Sequence, residues 1–258
     1  MSFSLGRARA VLVKELRDFR RNKFIIGTIV VLPLIFIIVP ISDLFRAAPP
    51  RLQTVQVGTS LLLLLVAPVV MPATIAAYSV VGEKEQGTLE PVLTTPVRRE
   101  ELLIGKASAA LLPSVAIAYL LFTVVVIAVR IGASHVVVDD VWQPQNFLAQ
   151  ALFSPLLAGW AIWVGIAISA RSSDVRVAQQ LGTLASLPPL AIVALIEYQV
   201  ITPSVTTALI IGAILAGLDA LGWWFVGTLF NRERLITGRN ATRATRRRVA
   251  PQEAASST

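Results

Sequence analysis

The sequence predicts an all-α, polytopic membrane protein with six transmembrane helices. Of its 258 residues, 55% are hydrophobic and only 15% are charged, and the mean hydropathy is +0.72. A soluble domain carries about 25% charged residues, so this composition is typical of a protein embedded in a bilayer. Six apolar segments, each essentially free of Lys and Arg, approach the ~20 residues that a helix needs to cross the hydrocarbon core. The predicted spans are 24–42, 57–81, 107–129, 148–170, 178–196 and 205–229.

The distribution of Lys and Arg sets the predicted orientation of these spans. Seven basic residues lie in 1–23, four in the polar loop 82–106, two in 171–177 and seven in 230–258, whereas the loops on the other side hold three. Because Lys and Arg accumulate in cytoplasmic loops, both termini and the polar loop are predicted to be cytoplasmic in a multi-pass protein of the cell membrane. The net charge of +8 is therefore mainly a topology signal, and we predict no nucleic-acid partner.

Residues 1–23, before the first span, predict an amphipathic helix. Apolar residues recur there at three- and four-residue spacing, and Arg or Lys occupies most of the other positions. Such a helix is expected to lie in the headgroup region of the inner leaflet. The alternative is a positive flank that only orients the first span. The apolar positions are Leu5, Ala8, Leu12, Leu16 and Phe19.

The transmembrane domain is predicted to occupy residues 24–230, followed by a basic tail over 231–258. The tail is polar and aperiodic, which is typical of disorder. Within the fifth span, Pro188 and Pro189 predict a break, because proline cannot donate the backbone hydrogen bond that a helix interior needs. Two paths remain for the chain beyond that break: a direct crossing, or a bend that dips back before span six.

The polar loop predicts two helix boundaries in close succession. Span two is expected to continue as a helix through Glu83 and Glu85 and to end at Gly87, since glycine readily adopts the left-handed conformation at a helix terminus. Thr88 suits an N-cap, so a short helix is predicted to begin there and to end at Thr94.

One face of this short helix is apolar. Leu89, Val92 and Leu93 lie at i, i+3 and i+4 spacing. Pro96 then favours the start of the next helix, which carries Glu101 near its positive N-terminal end and continues as span three. A short helix with an apolar ridge between charged flanks predicts a knob that docks into another protein. The alternative is a solvated hairpin in which these Leu and Val side chains are incidental.

The same loop resembles a known family signature. Its residues read Glu83-Lys84-Glu85-x-Gly87-Thr88-Leu89-Glu90, then Leu93-x-Thr95-Pro96-Val97-x-Arg99-x-Glu101, then Gly105-Lys106. This run closely resembles the membrane-spanning subunits of ABC-2-type exporters, and Lys14-Glu15-Leu16 resembles the start of that family. The resemblance implies an exporter permease that moves a substrate across the membrane with ATP hydrolysed by a separate subunit.

The resemblance also implies which residues contact that ATPase. The short helix would be the coupling helix, and the loop after span four would add a second, smaller contact. The implied coupling residues are Glu83, Glu85, Gly87, Thr88, Leu89, Glu90, Val92, Leu93 and Pro96, with Arg171, Asp174 and Arg176 in the second loop.

The chain contains no G-x-x-x-x-G-K-[ST] phosphate loop, so ATP and magnesium are expected in the partner and no cofactor in this chain. We therefore predict a permease that is not itself an enzyme. Its expected partners are two ABC ATPase subunits, the lipid bilayer and a second permease protomer, identical or homologous, because six spans are few to enclose a pathway. The alternative function is a non-transporting membrane anchor or scaffold for an ATPase.

Asp219 is the one charge well inside a predicted span. Small residues one and two turns away share its helix face, so it is expected to face another helix rather than lipid. One interpretation is a site for a proton, a cation or a cationic substrate. The other is a protonated Asp that hydrogen-bonds a neighbouring helix, with Ser186 or Thr183 as partner. A membrane-embedded enzyme is disfavoured, because the chain has no Cys and its only histidine is His135.

Overall fold

The computed structural model of the chain describes residues 3–46, 49–85, 97–198 and 200–229. The regular secondary structure in these ranges is α-helical, which confirms the predicted class. The helices are α1 (Leu5–Arg21), α2 (Lys23–Leu44), α3 (Pro50–Glu85), α4 (Arg99–Gly132), α5 (His135–Val141), α6 (Pro144–Arg171), α7 (Val175–Ala185), α8 (Leu187–Glu197) and α9 (Val205–Leu229).

Six helical segments are long and apolar enough to cross a membrane, as predicted. They coincide with the six predicted spans, and the fifth combines α7 and α8. Their bounds are Ile25–Leu44, Leu52–Glu83, Arg99–Gly132, Pro144–Arg171, Val175–Glu197 and Val205–Thr228. The predicted tail, 231–258, lies outside the described residues.

The helix α3 forms the centre of the bundle. Its span is 72% buried, against 50% or less for each of the other five spans. The helices α2, α4, α6, α7 and α8 all pack against it, and α9 packs mainly against α6. The remaining apolar surface of the outer helices is available to lipid.

Both α3 and α4 are longer than a bilayer crossing requires. They contain 36 and 34 residues, so each extends roughly 50 Å, compared with a hydrocarbon core of ~30 Å. The helix α4 begins at Arg99, shortly after the predicted helix start at Pro96. The polar loop connects the end of α3 at Glu85 to the start of α4 at Arg99.

The fifth span crosses the bundle directly, which settles the path around Pro188 and Pro189. Near the start of α7, Ala178 packs with Ala77 of α3. At the end of α8, the carbonyl of Glu197 lies so close to Gly58 of α3 that a side chain on that glycine would overlap it. The start of the fifth span therefore contacts the C-terminal part of α3 and its end contacts the N-terminal part, so the two spans are antiparallel.

Candidate functional site

The two described ends of the polar loop both contact α1. Residues 86–96 lie outside the described residues, and with them seven of the predicted coupling positions: Gly87, Thr88, Leu89, Glu90, Val92, Leu93 and Pro96. Glu85 ends α3, and its side chain is likewise not described. What the structure shows is how the loop is anchored, through Glu83 on one side and through Glu101 and Lys106 on the other.

Lys106 is a fully buried cation at the core of this anchor. Its side chain is 0% exposed, and its Nζ lies 3.0 Å from Oε1 of Glu15 and 2.9 Å from Oε2 of Glu83. It also donates a hydrogen bond of 2.9 Å to the carbonyl of Ser79. The ammonium group thus makes two hydrogen bonds, to Glu15 and to the Ser79 carbonyl, and an ion pair with Glu83. A buried cation is tolerated here because two carboxylates surround it.

Lys14 joins the same cluster from α1. Its Nζ lies 2.7 Å from Oε1 of Glu83, 3.1 Å from Oε1 of Glu15 and 3.2 Å from Oδ2 of Asp18. Burial lowers the pKa of Lys14, but the charges of Glu15 and Glu83 and their hydrogen bonds outweigh it and raise that pKa above its ordinary value. We name Lys14, Glu15, Glu83 and Lys106 the charge cluster; its two cations and two carboxylates link α1, α3 and α4.

A second ion pair fixes the start of α4 to the start of α1. The carboxylate of Glu101, 0% exposed, accepts hydrogen bonds from Arg7 at 2.7 Å (Nε) and 2.6 Å (Nη2). It also accepts the backbone N–H of Ser4 at 2.7 Å and that of Arg98 at 2.9 Å. The hydrogen bond and charge of Glu101 raise the pKa of Arg7. A bidentate Arg–carboxylate pair is among the most geometrically specific contacts in proteins, so this clamp defines one orientation of α1 on α4.

Gly105 allows α1 and α4 to approach this closely. A Cβ at that position would lie 2.6 Å from side-chain carbons of Val11 and 2.9 Å from the carbonyl oxygen of Ala8. The Gly105-Lys106 pair therefore has two roles. Gly105 allows close packing of α1 on α4, and Lys106 forms an ion pair with Glu15 of α1.

The apolar stripe of α1 faces the bundle along most of its length. Ala8 and Phe19 are buried, Leu12 and Leu16 pack partly buried against the core, and Leu5 is 76% exposed. The helix is present as predicted, whereas its position in the headgroup region stays a prediction.

Lys14, Glu15 and Lys106 belong to the family signature but were not predicted as contacts of one another, and Arg7 was not singled out by the sequence. A usable signal was present, because Glu15 lies on the same α1 face as Leu12 and Phe19. A carboxylate inside an apolar stripe requires a cation from elsewhere.

The second predicted contact loop lies at the same end of the molecule. Ser169, near the end of α6, accepts the backbone N–H of Val81 at 3.0 Å, only two residues before Glu83. Arg171, Asp174 and Arg176 are exposed there. Asp174 caps α7 by accepting the backbone N–H of Arg176 at 2.7 Å and that of Val177 at 3.2 Å.

Asp219 faces α6 rather than the predicted partners in the fifth span. A Cβ on Gly159 would lie 2.6 Å from Oδ2 of Asp219. Oδ1 of Asp219 is buried and accepts no hydrogen bond from the described residues. The Ser186 hydroxyl instead donates to the carbonyl of Gly182 at 2.7 Å, and Thr183 makes no hydrogen bond to Asp219 within the described chain. The interhelical hydrogen bond considered for Asp219 is therefore not formed with either residue.

A family model described as "ABC-2 family transporter protein" matches residues 9–199 of the chain. The match contains the charge cluster, the polar loop and the second contact loop, and it ends before α9 and Asp219. No curated protein gives a significant match to the sequence. The chain therefore belongs to the ABC-2 family of transporter proteins and is a permease component of an ABC transporter, a membrane transport component and not itself an enzyme.

Proposed function

We propose that this chain is the permease subunit of an ABC exporter, driven by ATP that a separate ATPase subunit hydrolyses with its own magnesium. The α1 end of the bundle faces the cytoplasm, and the polar loop docks into the ATPase. Permeases of this family generally work with ABC ATPase subunits, which supports the partner's class. The observation that carries the proposal is the anchoring of both ends of the polar loop to α1 through buried ions.

This anchoring suits a loop that transmits force. Glu83 precedes the undescribed segment and Glu101 follows it, and each carboxylate contacts a basic residue of α1. A displacement of the loop must therefore move α1, α3 and α4 together or break a buried ion pair. Each of these pairs has a buried carboxylate, and separating a buried carboxylate from its cation is unfavourable, so concerted movement is favoured.

The complete assembly is proposed to contain two ATPase subunits and a second permease, identical or homologous. The fifth span offers a face for that protomer. Exposed residues recur there at three- and four-residue spacing: Val177, Leu181, Leu184, Pro188, Ala191 and Leu195. This apolar stripe is continuous across α7 and α8 despite the break between them.

The docking role of the polar loop is tested by placing a charge on its apolar ridge. The chain is co-expressed with a candidate ABC ATPase subunit from its source genome, and co-purification and ATP hydrolysis are measured. Leu89→Asp or Val92→Asp is expected to abolish co-purification, because each loses roughly 1.5–3 kcal/mol of apolar burial and adds an unpaired charge.

Val136→Asp is the matched control. Val136 is a 58% exposed residue of α5, in the short connection between α4 and α6. This variant should bind the ATPase as the unaltered chain does. If Leu89→Asp and Val92→Asp also bind and stimulate the ATPase normally, the ridge is not the docking surface. Normal binding without transport of any substrate would favour the membrane-anchor function.

A further inference from the structure

A carboxylate and two tryptophans meet where α9 packs against α6. Asp219 and Trp223 are one turn apart on α9, and Gly159 and Trp163 are one turn apart on α6, so each pair shares a helix face. The two indole rings meet edge to face, with centroids 5.3 Å apart and an interplanar angle of 71°. The carboxylate rests against the bare backbone of Gly159, where a Cβ would lie 2.6 Å from Oδ2.

A pocket of about 300 Å³ opens beside this contact. Its wall includes Gly159, Trp163 and Trp223, and α4 completes it with Ser108 and apolar side chains. Asp219 is not itself part of the wall; its carboxylate packs against Gly159, a wall residue that has no side chain. The volume is at the lower end of the range of about 300–1,000 Å³ for small-molecule sites, and the lining is predominantly apolar with few polar groups, as such sites require.

Asp219 has no counter-charge among the described residues. Lys106 adjoins the pocket lining in sequence, but its ammonium group is committed to Glu15 and Glu83. Asp219 lies about 15 Å along the helix axis from the end of α9 at Leu229. A carboxylate this far inside a membrane-spanning helix is costly unless it is protonated or paired. The site therefore provides a negative charge, two indoles and an apolar pocket, and it lacks a cation.

We propose that Asp219, Trp163 and Trp223 form a binding site for a lipophilic organic cation that enters the pocket from the surrounding lipid. The carboxylate supplies the opposite charge. The indoles are the strongest cation–π partners among side chains, and recognition of quaternary cations by aromatic groups follows from the same attraction. The inference rests on the proposed permease function, because it makes such a cation the class of substrate.

The test uses tetraphenylphosphonium as the probe and the purified full-length chain in lipid nanodiscs. Radiolabelled probe should bind saturably, whereas tetraphenylborate, which has the same shape and the opposite charge, should only partition into the lipid. Asp219→Asn keeps the size of the side chain and removes its charge, and is expected to weaken saturable binding by about tenfold or more. Trp223→Leu is expected to weaken it by at least about threefold.

Two matched variants serve as controls. Trp224→Leu alters the next residue, which is 67% exposed, and Asp140→Asn removes a carboxylate outside the spans. Both should bind the probe as the unaltered chain does. The proposal is overturned if the unaltered chain shows no saturable binding, or if Asp219→Asn binds as tightly as Asp140→Asn. The second result would instead indicate that Asp219 is neutral and serves helix packing.

A failure of the cation-binding test can be distinguished from a failure of the proposed permease function. Probe binding is measured on the permease alone, whereas docking is measured by co-purification of the ATPase with the Leu89→Asp variant. A chain that docks the ATPase through the polar loop but binds no cation would retain the permease function and lose only the proposed substrate class.

Discussion

Two buried charges at the α1 end of the bundle, Lys106 and Glu101, are each surrounded by several partners. Lys106 donates hydrogen bonds to Glu15 and to the Ser79 carbonyl and forms an ion pair with Glu83, and the Glu101 carboxylate accepts four hydrogen bonds. Removing one member of such a group leaves the others desolvated and unpaired, which is more costly than losing the interaction itself. Asp219 contrasts with both, because its Oδ1 has no donor among the described residues.

Lys106→Met should therefore destabilise the protein strongly. The methionine fills similar space, but Glu15 and Glu83 lose the cation between them, and we expect a loss of about 3–5 kcal/mol. Thermal unfolding of the purified chain in detergent measures the change as a lower midpoint. Arg9→Met, at an exposed position of α1, is the control and should unfold as the unaltered chain does. Equal midpoints for the two variants would contradict a stabilising role for the charge cluster.

Among the helices, the existence and order of the spans were predictable from sequence, whereas the partners of each face were not. The apolar stripe of α1 indicates that one face is removed from water, but the stripe alone does not distinguish packing against lipid from packing against protein. The structure shows Phe19 and Leu16 packed against the core, and Glu15 beside Phe19 forms an ion pair with Lys106. The fifth span had two possible paths for a similar reason, because a proline pair predicts a break and not the direction beyond it.

Gly105 tests whether the close packing of α1 on α4 matters. In Gly105→Ala, the new Cβ would lie 2.6 Å from Val11 and 2.9 Å from the Ala8 carbonyl, so α1 must shift away and the ion pairs lengthen. We expect a lower unfolding midpoint although alanine is the better helix former by about 1 kcal/mol.

Gly217→Ala is the matched control for that variant. It makes the same substitution within α9, where a Cβ would meet nothing within 4 Å. This variant should be neutral or slightly stabilising, since only helix propensity changes. If Gly105→Ala were as stable as Gly217→Ala, the contact between α1 and α4 would not depend on that glycine.

For the whole molecule, the six-span plan and the family were accessible from sequence because hydropathy and the loop motif are local signals. The joining of Glu15, Glu83 and Lys106 was not, since these residues are far apart in the chain and meet only after three helices pack. The pocket beside Asp219 was out of reach for the same reason. Asp219 was conspicuous in the sequence as a charge inside an apolar span. Gly159 and Trp163 belong to a different helix, and no sequence pattern indicates that they contact α9.

The predicted orientation of the bundle in the membrane can be tested directly. A reporter fused after Thr258 should be active only in the cytoplasm, and one inserted near Asp139 only on the outer side, because 20 of the 23 Lys and Arg residues lie in the termini and loops predicted to be cytoplasmic. Paired cytoplasmic and extracytoplasmic reporters at both sites provide the measurement. An external C-terminus would separate the polar loop from any cytoplasmic ATPase.

We propose that the polar loop drives the permease because ion pairs of two buried carboxylates, Glu83 and Glu101, fix both of its ends to α1. Glu101→Gln tests this most directly, since it weakens the bidentate pair with Arg7 and leaves the apolar ridge intact. Glu100→Gln, on the adjacent and exposed glutamate, is the control. The measurement is substrate transport together with ATP hydrolysis by the assembled complex. We predict that both variants retain the ATPase subunit and that only Glu101→Gln uncouples hydrolysis from transport. Transport coupled as tightly in Glu101→Gln as in Glu100→Gln would contradict the account.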